Sequence, residues 1–195
     1  LKARWNTASD SKTEFALVLF AGLLVFNLFS ECVSRAPSLI MQNANYVKKV
    51  VFPLDILPWV IMGSALFHLL VSFVVWLIFY GVFFGIPPVT GLYLPVVMMP
   101  LIGMTMGISW FLASLGVYLR DVSQVIGMLT TILMFLSPIL YPASALPEDY
   151  LDLFMMNPLT PTIEAVRNVL IWGKDIDWVA FGVYWLVSVV IACLG

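Results

Sequence analysis

The sequence predicts an all-α fold, a polytopic membrane helix bundle. Three observations carry that prediction. Hydrophobic residues make up 62% of the chain and charged residues only 10%, whereas soluble domains carry about 25% charged residues. Five long apolar stretches run over residues 15–33, 56–84, 89–117, 125–141 and 178–194, and about 20 apolar residues cross a hydrocarbon core of roughly 30 Å as a helix. The twelve prolines and twelve glycines fall mostly at the ends of those stretches or inside them. Membrane helices tolerate that placement because neighbouring helices can satisfy the freed backbone groups.

The remaining composition narrows the function classes. A net charge of −2 gives no basis for a nucleic-acid or acidic partner. Cys32 and Cys193 are the only cysteines, so neither a disulfide framework nor a metal cluster follows; they read as two small buried apolar residues. The chain opens at Leu1 without a basic leader and stops at Gly195 directly after an apolar run. It is read as one membrane domain, 1–195, truncated at both ends.

Taken in order, residues 1–14 are polar and mixed in charge, and read as a loop. The first span is 15–33. Residues 34–55 form a long polar connection, within which 38–50 reads as a short helix lying flat. Leu39, Tyr46, Val47 and Val50 can share one side of it, with Gln42, Asn45, Lys48 and Lys49 mostly on the others. Pro37 and Pro53 bound it. The uncharged connection 85–88 makes a helical hairpin of 56–84 and 89–117. Each of these is roughly 43 Å long at 1.5 Å per residue, so each must tilt, kink or protrude; Pro95 and Pro100 predict a kink in the second. The next connection, 118–124, carries Arg120 and Asp121.

The span 125–141 is short. Five prolines then follow within 137–161: Pro138, Pro142, Pro147, Pro158 and Pro161. No continuous membrane helix survives that density. Thr160 as N-cap, Pro161 at the first helical position and Gly173 as C-terminal cap predict a short helix over 161–172. At about 18 Å it is too short to cross, with Ile163, Val166 and Leu170 on its apolar side. It is expected to skirt the outer leaflet and border the exit of a path. Trp178 opens the last span as an interfacial aromatic.

Candidate functional side chains are few. Glu31 and His68 are the ionisable residues nearest to span interiors, and an intramembrane ionisable group is a functional candidate by default. His68 is expected to hydrogen-bond a neighbouring helix, and Glu31 to reach water or Arg35. Glu164 and Arg167 are three apart and predict a local salt bridge. Trp59, Trp76, Trp110, Phe67, Phe73 and Phe111 sit in or near the long spans, where sugars could stack or helices pack. No GxxxxGK[ST] phosphate loop occurs, so ATP hydrolysis would need a separate chain. An intramembrane transferase would converge Asp, His or Glu near one interface, and charges in the long spans are almost absent. The expectation is a transport subunit rather than an enzyme, without a cofactor.

Orientation is not fixed by charge. If 34–55 and 118–124 share a side, it holds Arg35, Lys48, Lys49 and Arg120. The opposite side holds Lys2, Arg4, Lys12, Arg167 and Lys174, so the positive-inside rule makes no choice.

Local sequence does choose. NANYVKKVVFPLDILP (43–58) resembles the cytoplasmic loop of type 2 ABC transporter permeases that export polysaccharide, although Asp55 stands where many relatives have Arg or Glu. VYLRDVSQV (117–125) is similar to that family's Tyr-x-Arg-Asp loop. SPILYPASALPE (137–148) with NPLTPTIEAVRNVL (157–170) resembles its Pro-rich outer segment, and FAGLLVFNLFSECVSR (20–35) is similar too.

The resemblance spans about 15–175. It implies six membrane helices per subunit, five of them in this chain, with 34–55 and 118–124 cytoplasmic and 142–177 extracytoplasmic. The implied setting is a bacterial or archaeal cytoplasmic membrane. Implied partners are an ATP-binding subunit, a second permease copy and a lipid-linked glycan: O antigen, teichoic acid or capsule. On this reading Asn43, Asn45, Lys48, Lys49, Arg120 and Asp121 couple to the ATPase. Pro138, Tyr141, Pro142, Asn157, Pro158, Glu164 and Arg167 form the outer gate region. The alternative is a type 2 ABC permease for a drug or lipid, with an intramembrane transferase further off.

Overall fold

A computed structural model describes residues 12–43, 53–119, 121–139 and 157–195. Among these, all regular structure is helical. Helix α1 covers Lys12–Arg35. Its positions Val18, Ala21, Val25, Leu28 and Cys32 are buried, a three-and-four spacing that places one continuous stripe against the bundle. A 3-10 turn, Ala36–Ser38, and a single helical turn, Leu39–Gln42, follow.

Helix α2, Ile56–Phe84, lies at the periphery. It buries Leu57, Pro58, Ile61, Met62, Ala65 and Trp76, and leaves Val60, Phe67, Leu70, Ile78 and Val82 exposed. A helix apolar over most of its surface and buried on one face suits a lipid surround. Trp76 anchors it to α1: the indole N–H donates to the Leu17 carbonyl at 3.2 Å, and Tyr80 stacks on the ring at 5.0 Å.

A 3-10 turn, Val89–Tyr93, leads into α3, Leu94–Tyr118, the central helix. It packs against α1 and against α6, Trp178–Leu194. Gly107 sets that last approach. A Cβ there would stand 2.7 Å from the Ala192 Cα, so only glycine lets the two backbones come this close. Gly116 does the same where α3 meets Pro37. Helices α4, Val122–Leu136, and α5, Thr160–Leu170, complete the bundle.

Several expected boundaries shift. Among the described residues, three helical stretches are long and apolar enough to cross a membrane: Thr13–Gln42, Ile56–Phe84 and Val89–Tyr118. Helix α4 has 15 residues, about 22 Å; it starts at Val122 rather than 125 and stops before Ser137 rather than at 141. Pro95 sits at the start of α3, so only Pro100 lies inside that helix. The connection to α4 shortens to 119–121. Helical winding also continues past Pro37, because a proline in the first turn of a 3-10 segment gives up no intrahelical donor. Of the expected flat helix 38–50, residues 44–50 lie outside the described residues.

Thr160 is the first helical residue of α5, not its cap: Leu159 holds that position and Ile171 is the C-cap. Gly173 follows with φ +60°. Helix α6 carries a cap that sequence reading missed. The Asp177 carboxylate accepts from Val179 N–H at 3.1 Å and Ala180 N–H at 3.3 Å. Cys193 is exposed rather than buried, and both cysteines are free.

Candidate functional site

The bundle has two dissimilar ends. At one, the Pro37 backbone meets Gly116 and the Trp110 indole donates to the Asp55 carbonyl at 3.2 Å. The last turn of α1, the start of α2 and the end of α3 are thereby gathered together. Asn43 and Asp121 lie at this end. The Asn43 side chain donates to the Leu39 carbonyl at 2.9 Å and closes the helical turn. Asp121 is exposed and occupies the N-cap position of α4 without a side-chain capping bond. Asn45, Lys48, Lys49 and Arg120 lie outside the described residues.

At the opposite end, α5 is stitched to four neighbouring segments. Arg167 is 1% exposed. Its Nε–H donates to the Val18 carbonyl of α1 at 3.2 Å. Its Nη1 donates to the Pro138 carbonyl, and Nη2 to the Ile139 carbonyl at 3.0 Å. A planar guanidinium with several fixed donors suits such a convergence of carbonyls. Gly22 makes room for it, since a Cβ there would fall 2.8 Å from Arg167 Nη2. Burial pushes the guanidinium down to about 10, with Glu164 acting in the opposite sense; it stays protonated at neutral pH.

Asn157 joins the end of α4 to the start of α5. Its amide donates to Ser137 Oγ at 2.8 Å, and its Oδ1 accepts the Leu159 N–H at 3.0 Å. Tyr184 of α6 donates to the Pro158 carbonyl at 2.8 Å. Thr90, ahead of α3, donates to the Val169 carbonyl at 2.7 Å. Ile163, Val166 and Leu170 are buried beneath these bonds.

Pro138, Asn157, Pro158 and Arg167 are therefore brought together. Half-buried Glu164 lies along a groove of about 400 Å³ with Asn168 and Asp175. Tyr141 and Pro142 lie outside the described residues. The expected Glu164–Arg167 surface pair gives way to a cation buried among carbonyls. The helix pattern located Arg167 but carried no sign that α1 and the end of α4 converge on it.

A third polar cluster lies between α1 and α2. His68 Nδ1 is 2.9 Å from Glu31 Oε2, and Arg35 Nη1 donates to Glu31 Oε1 at 3.0 Å. Both expected partners of Glu31 and His68 are thus present. The aromatics also separate. Trp76 is core and Phe73 packs on it at 6.2 Å. Trp59, Phe67 and Phe111 are exposed.

The model of the family described as ABC-2 type transporter matches residues 3–171. The chain is 29% identical over 158 residues to the O-antigen export system permease protein RfbA of Myxococcus xanthus, covering 80% of this chain and 60% of that protein. A protein of the same name from Klebsiella pneumoniae is 25% identical over 160 residues, 82% of this chain and 62% of the relative. A second from Klebsiella pneumoniae is 21% identical over 182 residues, 93% and 70%. The chain spans about three fifths of the length of the first two.

Proposed function

The chain belongs to the ABC-2 type transporter family, and we propose that it is the membrane-spanning permease subunit of an ATP-driven exporter. Its cargo on this reading is a lipid-linked polysaccharide, moved across the cytoplasmic membrane. The observation that carries the reading is the match, over 80% or more of this chain, to permeases named for O-antigen export.

The geometry supports a division of labour between the ends. A separate ATPase docks on two segments of the chain, one carrying Asn43, Asn45, Lys48 and Lys49 and the other Arg120 and Asp121. Its closure is passed into the bundle through close backbone contact at Pro37 and Gly116. No compressible side chain lies at that contact to absorb the movement. A second permease copy completes the path. At the far end, α5, with its Glu164, and the preceding residues Pro138, Tyr141, Pro142, Asn157 and Pro158 border the exit. Arg167 holds that border to α1 and to the end of α4, so movement of either is transmitted to it.

The test is complementation. The full-length permease and its ATPase are expressed in cells that make a lipid-linked polysaccharide but lack its exporter. Surface glycan should return, and should be lost again when the ATPase carries a dead phosphate loop. Internal accumulation of glycan alongside efflux of a drug or lipid would replace this reading with that of a small-molecule exporter.

A further inference from the structure

Among the described residues, α1 to α4 and α6 carry two Asp, Glu, His, Lys or Arg side chains away from their first and last turns: Glu31 and His68. They are bonded to each other. The pair belongs to two polar rows. Asn27, Glu31 and Arg35 are four apart along α1; Ser64, His68 and Ser72 are four apart along α2. Residues four apart share a helix face, so each helix turns one polar ridge out of an otherwise apolar surface. The ridges border a groove of about 330 Å³ lined by Asn27, Ser30, Glu31, His68 and Ser72. Its floor is apolar: Leu24, Leu28, Ala65 and Leu69.

Among the described residues the cluster is only partly buried between α1 and α2, the Glu31 side chain being 23% exposed. The His68 side chain is 60% exposed and that of Arg35 is 55% exposed. The side chains of Asn27, Ser30 and Ser72 make no hydrogen bond among the described residues. Their hydrogen-bonding capacity points into the groove unused. Hydrocarbon is a poor neighbour for such groups, which lose water there and gain no partner. The face therefore meets water, a polar ligand or protein.

The chemistry of the groove selects among ligands. Glu31 is flanked by Arg35 and His68, so its charge is met within the cluster and the groove offers no strong single-sign field to an ion. Acceptors and donors alternate around an apolar floor. A sugar ring has the complementary form, with hydroxyls on its edges and C–H groups on its faces. The volume lies within the roughly 300–1,000 Å³ usual for small-molecule sites.

We propose that the α1–α2 groove is a wet wall of the translocation path and a binding site for uncharged, hydroxyl-rich stretches of the glycan. This rests on the export reading above. Glu31 and His68 hold the two ridges at fixed spacing, and Asn27, Ser30 and Ser72 supply hydrogen bonds that are exchanged as the chain slides.

Single cysteines test it in a full-length, otherwise cysteine-free permease assembled with its ATPase. Asn27→Cys and Ser72→Cys probe the groove. Val74→Cys and Ile78→Cys probe the outward face of α2, where both native side chains are exposed. A charged, water-soluble thiol reagent should label the groove positions several-fold faster than the outward ones. Labelling should slow several-fold in cells synthesising the polysaccharide, relative to cells blocked in its synthesis. Groove labelling no faster than at Val74, or an Asn27→Cys disulfide between two copies, would overturn the proposal. So would fast labelling unaffected by glycan in cells that display polysaccharide on their surface. The failures separate: export with unprotected cysteines removes this site alone, whereas absence of surface polysaccharide with the unsubstituted permease removes the export reading and the site with it.

Discussion

Arg167 is a cation with the burial of a core leucine, and its surroundings explain how it remains there. Three backbone carbonyls from two separate segments accept its hydrogen bonds. The Pro138 and Ile139 carbonyls lie past the end of α4, where intrahelical donors have run out and partners must come from elsewhere, whereas the Val18 carbonyl lies within α1. Arg167→Met should therefore lower stability by about 3 kcal/mol, since several charge-assisted bonds are lost and their acceptors stay buried. Arg167→Lys should recover only part, because a point charge cannot reproduce the planar fork. Thermal unfolding of the lipid-embedded permease–ATPase complex measures both. Arg167 adds no pH dependence near neutrality. Its folded value of about 10 lies below the ordinary 12.5, so its contribution is flat at lower pH and rises only as pH passes about 10. There the unfolded chain holds a proton that the folded chain has lost. Gly22 supplies a second residue-scale expectation. Gly22→Ala should destabilise the native protein, because its Cβ would meet Nη2 at 2.8 Å. The penalty should shrink in the Arg167→Met background, as expected for neighbours that share one space. Gly103→Ala, which meets nothing within 4 Å, serves as the control.

At the scale of the element, α5 shows what was legible in the sequence and what was not. Pro138, Pro158 and Pro161 announced that no continuous helix passes through this region, and the spacing of Ile163, Val166 and Leu170 announced a packed face. Both follow from local rules of backbone geometry and side-chain period. The cap did not follow. Thr160 has the favoured chemistry, but the N–H nearest the helix start is met by Asn157, whose amide is held in turn by Ser137 across a sequence gap of twenty residues. A tertiary contact thus displaced a local preference. The Glu31–His68 bond was legible only as a need for some partner, because no periodicity reveals which helices pack together. Boundaries of α2 were legible to the residue, since Pro53 and Gly85 bracket a long, predominantly apolar run. The element-scale prediction is that α5 is docked by its apolar face. Ile163→Ala should cost about 2–4 kcal/mol and speed proteolysis of the segment 157–177 in reconstituted protein. Co-purification of the ATPase should be unchanged, because its proposed docking site lies at the far end. Loss of ATPase binding alongside an unchanged outer segment would reverse that assignment.

At the scale of the whole molecule, the placement of the two ends yields the most exacting expectation. Charge counting left the orientation open, because Lys and Arg are divided almost evenly between the sides. The structure adds that the described parts of 34–55 and 118–121 lie at one end of the bundle, whereas 157–177 lies at the other. The two groups must therefore label from opposite sides, whichever side is which. The orientation follows only from the proposed docking: with the ATPase at the end that carries Asn43 and Asp121, and working where ATP is, that end is expected to be cytoplasmic. Gln42 and Lys174 are both exposed and lie at opposite ends, which makes them suitable reporters. In a cysteine-free, full-length permease, Lys174→Cys should react with an impermeant thiol reagent applied to intact cells, and Gln42→Cys should react only after the cells are opened. The converse pattern would keep the fold and invert the orientation, placing α5 on the ATPase side and turning the proposed exit into an entrance. Labelling of both from outside would be the graver result, since no bundle with these two ends on opposite membrane faces could produce it.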